Sequence, residues 1–377
     1  MKRMKAGVVG TGMISDIYLE NMIRRFGNIE VVSCCAAHME HAMEKAEKYG
    51  IKACTYDQML ADPQIEIIVV LTRVPQHYEI IRRALERGKH VFTEKTMTLE
   101  LHEAEELSGI AGEKGLYLCS APDTFLGSAV QTAGEAIRSG KIGEIYSFHI
   151  SANRNLDCIA AMVDFLREPG GGICQDYRVY YLAVLCSLFG GVEKISAVTR
   201  NNRPVRLNTY PKSPQFGQEY PYANESQVAA VITMRNGVTG TFSLNGDSNF
   251  VDLADFVIYG TRGILKLGAA NQYGGRVQYI PTMYGIEKNL TVEELKPVSS
   301  FSDDCRGIGV AEMADAIVKG RKSRTDYRFA YHIFEVVERI LQCSMQEGEK
   351  TILSGCEQPE PFSEPEDWSG MRAGEMK

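Results

Sequence analysis

Two short strings in this 377-residue sequence combine residue types with spacings suited to chemistry. The first is Gly10-Thr11-Gly12-Met13-Ile14-Ser15. It follows the apolar run Ala6-Gly7-Val8-Val9 and precedes an amphipathic stretch, the strand–turn–helix context in which such a loop receives a pyrophosphate. Gly10 allows the tight turn, Gly12 lets backbone N–H groups approach a phosphate, and the helix N-terminus adds the positive end of its dipole. Ser15 stands where Gly or Ala is usual and is still small enough for close helix–strand packing. The bland alternative is a plain strand-to-helix turn. The second string runs from Gly88 to Thr96 and sets Glu94 and Lys95 behind the strand-like His90-Val91-Phe92. A lysine at the carboxyl end of a parallel strand lies on the edge where such sheets bind ligands.

One piece of the dinucleotide pattern is missing. The second strand of such folds ends in an acidic residue that holds the adenosine ribose, whereas here it ends Cys34-Cys35-Ala36-Ala37-His38. That weakens the argument for NAD without establishing NADP, because no arginine follows to pair with a 2′-phosphate. Ala36 and His38 fall where the ribose is read; His38 either contacts ribose or phosphate or is a solvated loop histidine.

The elements that must position these strings can be read from periodicity. Strand candidates at Ala6–Val9, Ile29–Cys35, Ile65–Leu71 and His90–Phe92 alternate with helical patterns at Ser15–Phe26, Ala42–Tyr49, His77–Arg87 and Leu99–Lys114. Gly50 and Gly88 follow two of the helices as natural stops. Such alternation implies a doubly wound α/β Rossmann domain over residues 1–122. After Gly143 the pattern changes to successive strands with turn signals such as Asn236-Gly237. This predicts an α+β domain over 123–356 with an open, mainly antiparallel sheet, helical again from Gly309 to Gln346. A Pro- and Glu-rich tail, 357–377, reads as extended, packing by Trp368 or meeting another subunit.

Composition narrows the function classes. A net charge of -7 argues against a nucleic-acid partner, which needs a concentrated basic face. No run approaches the ~20 apolar residues of a membrane span, and the basic start is followed by a strand rather than a signal-peptide core, so a cytoplasmic location is expected. The 10 cysteines include no C-x-x-C pair and read as buried reduced thiols. No Cys/His group has zinc-ligand spacing, so no metal is expected.

As an ordered set, these motifs resemble the Gfo/Idh/MocA family of oxidoreductases, which includes glucose-fructose oxidoreductase and inositol dehydrogenase. The matching pieces are Gly10–Ser15, Thr72–His77, Gly88–Thr96 and Ser139–Ile145, then Gly170–Gly172 through Asp176 to Tyr181, and Gly260–Gly263. Ala121–Gly127 with Arg306–Gly309 looks like one bacterial subgroup. The resemblance implies an active site between the nicotinamide and the second domain's sheet. It also implies a cofactor that is NAD, with NADP possible, and a homo-oligomer formed through that sheet's exposed face. Lys95 matches the family's Glu-Lys-Pro lysine, with Thr96 in place of the proline. Asp176 matches the aspartate of Asp-x-x-x-His, and Tyr180 stands where the histidine is usual. Thr72, Arg73 and His77 match a segment near the nicotinamide ribose, while Asp123 and Arg178 are further substrate-binding candidates.

The implied chemistry is oxidation of a secondary hydroxyl on a sugar, glycoside or cyclitol. It needs a hydride acceptor, a base for the hydroxyl proton and a clamp on the carbinol. Lysine becomes a useful base when burial or nearby positive charge lowers its pKa. On one helix Asp176 and Tyr180 would share a face. Tyrosine is a poor base alone, so Lys95 is assigned the principal proton transfer, with Tyr180 assisting and Asp176 orienting the substrate. Two alternatives stay open: an NAD-dependent glycosidase that oxidises C3 transiently, and a cofactor-binding sensor without turnover.

Overall fold

The computed structural model describes residues 2–168, 170–251, 253–282, 291–346, 348–363, 365 and 368. The chain forms two compact units. The first holds Met1–Leu126, Asp304–Tyr331 and the tail from Phe362; the second holds Gly127–Asp303 and His332–Pro361.

In the first unit the strands are β1 (Met4–Val9), β2 (Ile29–Cys35), β3 (Lys52–Ala53), β4 (Ile67–Val70), β5 (His90–Thr93) and β6 (Leu118–Ser120). Between them run α1 (Ser15–Arg24), α2 (Met39–Tyr49), α3 (Tyr56–Ala61), α4 (His77–Glu86) and α5 (Leu101–Glu113). All strands are parallel, in the order β3-β2-β1-β4-β5-β6. Helices cover both faces, which is why Ile67-Ile68-Val69-Val70 is apolar at every position and buried throughout. The connections run one way from β1 and the other way from β4, so the switch point lies between these neighbours, where open α/β sheets take their ligands.

The second unit begins with α6 (Ser128–Arg138), β7 (Ile145–Asn153), α7 (Leu156–Met162), α8 (Ile173–Asp176) and α9 (Arg178–Phe189). Its remaining strands are β8 (Val192–Arg200), β9 (Val205–Leu207), β10 (Glu219–Pro221), β11 (Gln227–Met234), β12 (Thr239–Asn245), β13 (Ala254–Gly260), β14 (Gly263–Leu267), β15 (Gln278–Pro281), β16 (Glu293–Glu294) and β17 (Lys350–Thr351). The 9-stranded sheet runs β16-β15-β14-β13-β7-β12-β11-β8-β17 and is antiparallel except for the β7–β12 pair. β9 and β10 form a separate ribbon. One sheet face packs on α9, with Tyr181 against Phe242 and Phe256 and with Phe189 stacked on Phe148. The other is open, and Val198 and Val231 are exposed on it.

The expected boundaries of 1–122 and 123–356 differ from these units by a few residues at their ends and, chiefly, at one internal segment. Residues 304–331 carry α10 (Ile308–Lys319) back to the first unit. Asn21 Nδ2 donates to the carbonyls of Asp304 and Arg306, Asn28 Nδ2 to that of Ala311, and Tyr117 Oη to that of Arg321. Bonds between positions so far apart leave no local mark in the sequence. The expected single helical segment is two helices, α10 ending at Gly320 (φ 63) and α11 spanning Tyr327–Met345. Trp368 is buried against Phe26 and Phe362, within its own chain. Among the described residues, no helix is long and apolar enough to cross a membrane.

Candidate active site

The carboxyl edge of the parallel sheet collects most of the candidates. Gly10 leaves β1 at φ 102, and a Cβ there would lie 2.8 Å from the Leu71 carbonyl, so only glycine fits. Its N–H donates to the Cys35 carbonyl (2.9 Å), tying the loop to the end of β2. Gly12 differs: a Cβ there would meet nothing within 4 Å. That side of the loop is open to an incoming group. α1 begins after Ile14 without a side-chain cap; its Ser15 N–H donates to the Gly12 carbonyl (3.0 Å), and no side chain caps the amides that follow, the end of the helix that attracts an anion. Ser15 is buried, and its hydroxyl donates to the Gly12 carbonyl (2.6 Å), so the small residue braces the turn from inside. Thr11 is half-buried and Met13 exposed. Across the switch point, Thr72 follows β4 with a buried hydroxyl oxygen that has no hydrogen-bond partner among the described residues. An open glycine, an uncapped helix and an unsatisfied hydroxyl on one edge fit a dinucleotide.

Ala36 and His38 leave the neighbouring β2. His38 is exposed, with Nδ1 3.8 Å from the carboxylate of Glu40. The buried Cys34 and Cys35 that precede them have thiols pushed up by burial, to about 11 and about 12, and are inert packing groups. Arg73 is exposed at the head of the turn leading to α4.

Lys95 is held by its backbone. Glu94 N–H donates to the Val70 carbonyl, extending the β4–β5 pairing by one residue. The Glu94 carboxylate accepts from Tyr18 Oη (2.6 Å) on α1 and from the Lys95 N–H (3.1 Å). The string that carries the lysine is thereby fastened to the helix that opens the glycine loop. Lys95 itself is half-buried, and the Lys95–Thr96 peptide is cis. His77 braces the same edge from beneath, fully buried, with Nδ1 2.9 Å from the Thr96 carbonyl and Nε2 3.0 Å from that of Thr72. Burial lowers its pKa against the pull of those carbonyls. Expected among the cofactor-contacting residues, His77 instead spans the two loops and offers no exposed atom to a ligand.

The second unit assembles a different cluster. Asp176 closes α8 and Tyr180 lies in the first turn of α9; the helix is broken between them at Tyr177 rather than continuous. Arg154, just beyond β7, places Nη2 3.8 Å from the Asp176 carboxylate and its guanidinium 4.2 Å from the Tyr177 ring centre. Tyr177 in turn meets Tyr180 edge-on at 6.4 Å, and accepts from Tyr181 Oη. Tyr180 retains 9% exposure and Asp176 is half-buried, so both keep a limited outlet. Arg154 and Tyr177 were not among the sequence candidates. The only local signal was a cationic residue directly after a strand.

Two expected substrate contacts are placed elsewhere. Asp123 is 2% exposed, and its carboxylate accepts from the Gly309 N–H (2.9 Å) in the first turn of α10, the bond of a helix cap. Arg178 is 0% exposed; Nη2 contacts Cys174 Sγ, and the guanidinium lies over Phe242 at 5.6 Å. Burial lowers its pKa. Both are interior groups of their own units: α9 turns Arg178 inward, and the loop after β6 sets Asp123 against the start of α10.

Comparison with known proteins identifies the family. Residues 4–121 match the model of the oxidoreductase family with an NAD-binding Rossmann fold, and residues 130–266 match that of the GFO/IDH/MocA C-terminal domain. Together the two matches take in more than half of the chain. Trans-1,2-dihydrobenzene-1,2-diol dehydrogenase from Bos taurus is 26% identical over 267 residues, covering 69% of this chain and 73% of that protein. The solved structure of levoglucosan dehydrogenase in complex with NADH and L-sorbose superposes with a TM-score of 0.80 at 18% identity, covering 94% of this chain and 100% of that one. An NAD binding oxidoreductase from Klebsiella pneumoniae gives 0.79 at 17% identity, covering 93% and 99%. At these identities the structural likeness speaks for the fold.

Proposed function

Because the chain belongs to the Gfo/Idh/MocA family of NAD-binding oxidoreductases, we propose that it oxidises a ring-borne secondary hydroxyl of a sugar, glycoside or cyclitol. The observation that carries this reading is Lys95 on the carboxyl edge of the sheet, its string anchored through Glu94 to Tyr18 beside the glycine loop. The names of the relatives support the substrate class, since one acts on a cyclic vicinal diol and another binds a sugar.

When bound, the nicotinamide would supply the hydride acceptor. Lys95 takes the proton of the reacting hydroxyl, which raises electron density on the carbinol oxygen as the C–H bond breaks. The Tyr180 hydroxyl donates a hydrogen bond to that oxygen or passes its proton onward. Asp176 accepts from a neighbouring substrate hydroxyl, with the Arg154 guanidinium beside its carboxylate. Gly10, Gly12 and the α1 N-terminus would hold the pyrophosphate, with Thr72 near the ribose. The Glu40 carboxylate near His38 disfavours a 2′-phosphate, which supports NAD over NADP. The open sheet face that exposes Val198 and Val231 is the surface proposed for homo-oligomerisation.

The test is to incubate the pure protein with NAD or NADP and a panel of polyols, hexoses and glycosides, following reduced-nicotinamide absorbance and aglycone release together. Stoichiometric reduction of NAD is the expected result. Aglycone release without net reduction would replace this reading by transient oxidation and elimination; neither signal with any substrate would reject both.

A further inference from the structure

The second unit also brings together Cys186 of α9, His332 of α11 and Cys356 beyond β17, with ligand-capable atoms all within 4.8 Å of one another. Three distant parts of the sequence converge here, so no motif announced it. Cys186 and His332 are buried, while Cys356 is partly exposed. The cluster has the composition of a three-ligand metal site, but the histidine is already committed. Its Nε2 accepts from the Val192 N–H (2.8 Å), and its Nδ1 faces the Ser354 carbonyl (3.1 Å) and hydroxyl (2.9 Å). In the neutral ring one nitrogen donates and the other accepts, so no lone pair is left for a cation. Two adjacent thiols remain.

We propose that Cys186 and Cys356 are a reversible redox pair, closing to a disulfide that fastens the segment after β17 to α9. The surroundings already hold the two backbones side by side. Gln358 Nε2 donates to the carbonyls of Ser187 (3.1 Å) and Leu188 (3.0 Å), and a Cβ on Gly191 would lie 3.2 Å from the Cys356 carbonyl oxygen. The Leu353 and Ser354 N–H groups are tied to the Glu335 carboxylate, which fixes the approach of the segment to Cys356.

The order of events follows from exposure. Contact with Cys356 and burial push the Cys186 thiol well above the usual range, so the outer cysteine is the one that meets an oxidant first. Cys356, as thiolate, attacks one sulfur of a small-molecule disulfide and releases the first small thiol, leaving a mixed disulfide. Cys186 then attacks Cys356 Sγ and displaces the second. Two protein thiols are oxidised, one small disulfide is reduced, and the two protons end on the two thiols released.

The experiment equilibrates the full-length chain in glutathione buffers of graded GSSG/GSH ratio, blocks free thiols with iodoacetamide and maps tryptic peptides. The expected product in the oxidising buffers is the peptide Val179–Lys194 joined to Thr351–Arg372, each of which contains a single cysteine. It should account for most of the chain, revert with dithiothreitol and vanish in Cys356→Ser. Full alkylation of both cysteines in the most oxidising buffer would overturn the proposal. So would glutathione retained on Cys356 with Cys186 still free. Stoichiometric zinc in the purified protein, lost in Cys186→Ala, would make the cluster a metal centre instead.

Discussion

The two groups of candidate residues are held in place by different means. In the first unit Gly10–Ile14, Thr72 and Glu94–Lys95 each follow the carboxyl end of a parallel strand, so hydrogen-bonded backbone sets their positions. In the second unit Asp176, Tyr177 and Tyr180 belong to a buried helical segment, and Arg154 reaches them from the end of β7. Side-chain packing sets their positions. A substitution on the first edge that leaves its backbone unstrained should therefore change binding or chemistry and leave folding alone. One in the second cluster should change both.

The largest effect separates chemistry from binding. Lys95→Ala should lower kcat/KM by about 10²–10⁴-fold while cofactor affinity, measured by fluorescence titration, and the unfolding midpoint stay as they were. Undiminished turnover would remove the lysine from the mechanism.

A second test bears on the packed unit. Burial depresses the pKa of His332 from the ordinary 6.5 to about 4, against the raising effects of the Ser354 carbonyl and Glu335. Between those values the unfolded chain binds a proton that the folded chain refuses. Stability is therefore complete above pH 6.5 and falls as the pH drops towards 4, by on the order of 3 kcal/mol. Denaturant titrations should show this slope in the wild type and not in His332→Gln.

The two loop glycines divide the first unit's own behaviour. Gly10→Ala places a Cβ against the Leu71 carbonyl at positive φ, so about 1–3 kcal/mol of stability should be lost together with cofactor binding. Gly12→Ala meets no atom of the described residues within 4 Å; its unfolding midpoint should not move, while affinity for NAD falls. Equal stability loss in both variants would contradict an open Gly12.

Smaller effects sharpen the assignment of the acidic and phenolic groups. Asp123→Ala should cost about 1–2 kcal/mol of stability, as for a lost helix cap, with KM for the substrate unchanged. Tyr180→Phe keeps the ring packed against Tyr177 and removes one hydrogen bond, so kcat should fall roughly tenfold. A raised KM at constant kcat would move Tyr180 from the reacting oxygen to general substrate binding.

Much of this was legible in the sequence, for identifiable reasons. Strand–helix alternation and the glycine stops announced the Rossmann unit because both are local properties of the chain. The lysine was legible because a strand end and a sheet edge coincide in parallel folds. Helix phase and long-range pairing were not legible. Arg178 and Asp123 have the residue types of substrate contacts, yet packing buries one beneath Phe242 and sets the other at the start of α10. His77 matched a family segment, and only its two carbonyl partners make it a brace.

What the sequence alone determined was the strand–helix alternation of the first unit, the dinucleotide loop and the position of Lys95, since each depends on a few neighbouring residues. Only the tertiary structure decided that residues 304–331 return to the first unit. It alone set Arg154 against Asp176 and Tyr177, and brought Cys186, His332 and Cys356 together. Such contacts join residues far apart in the chain, and their energies arise when the core closes around them, so no local pattern records them.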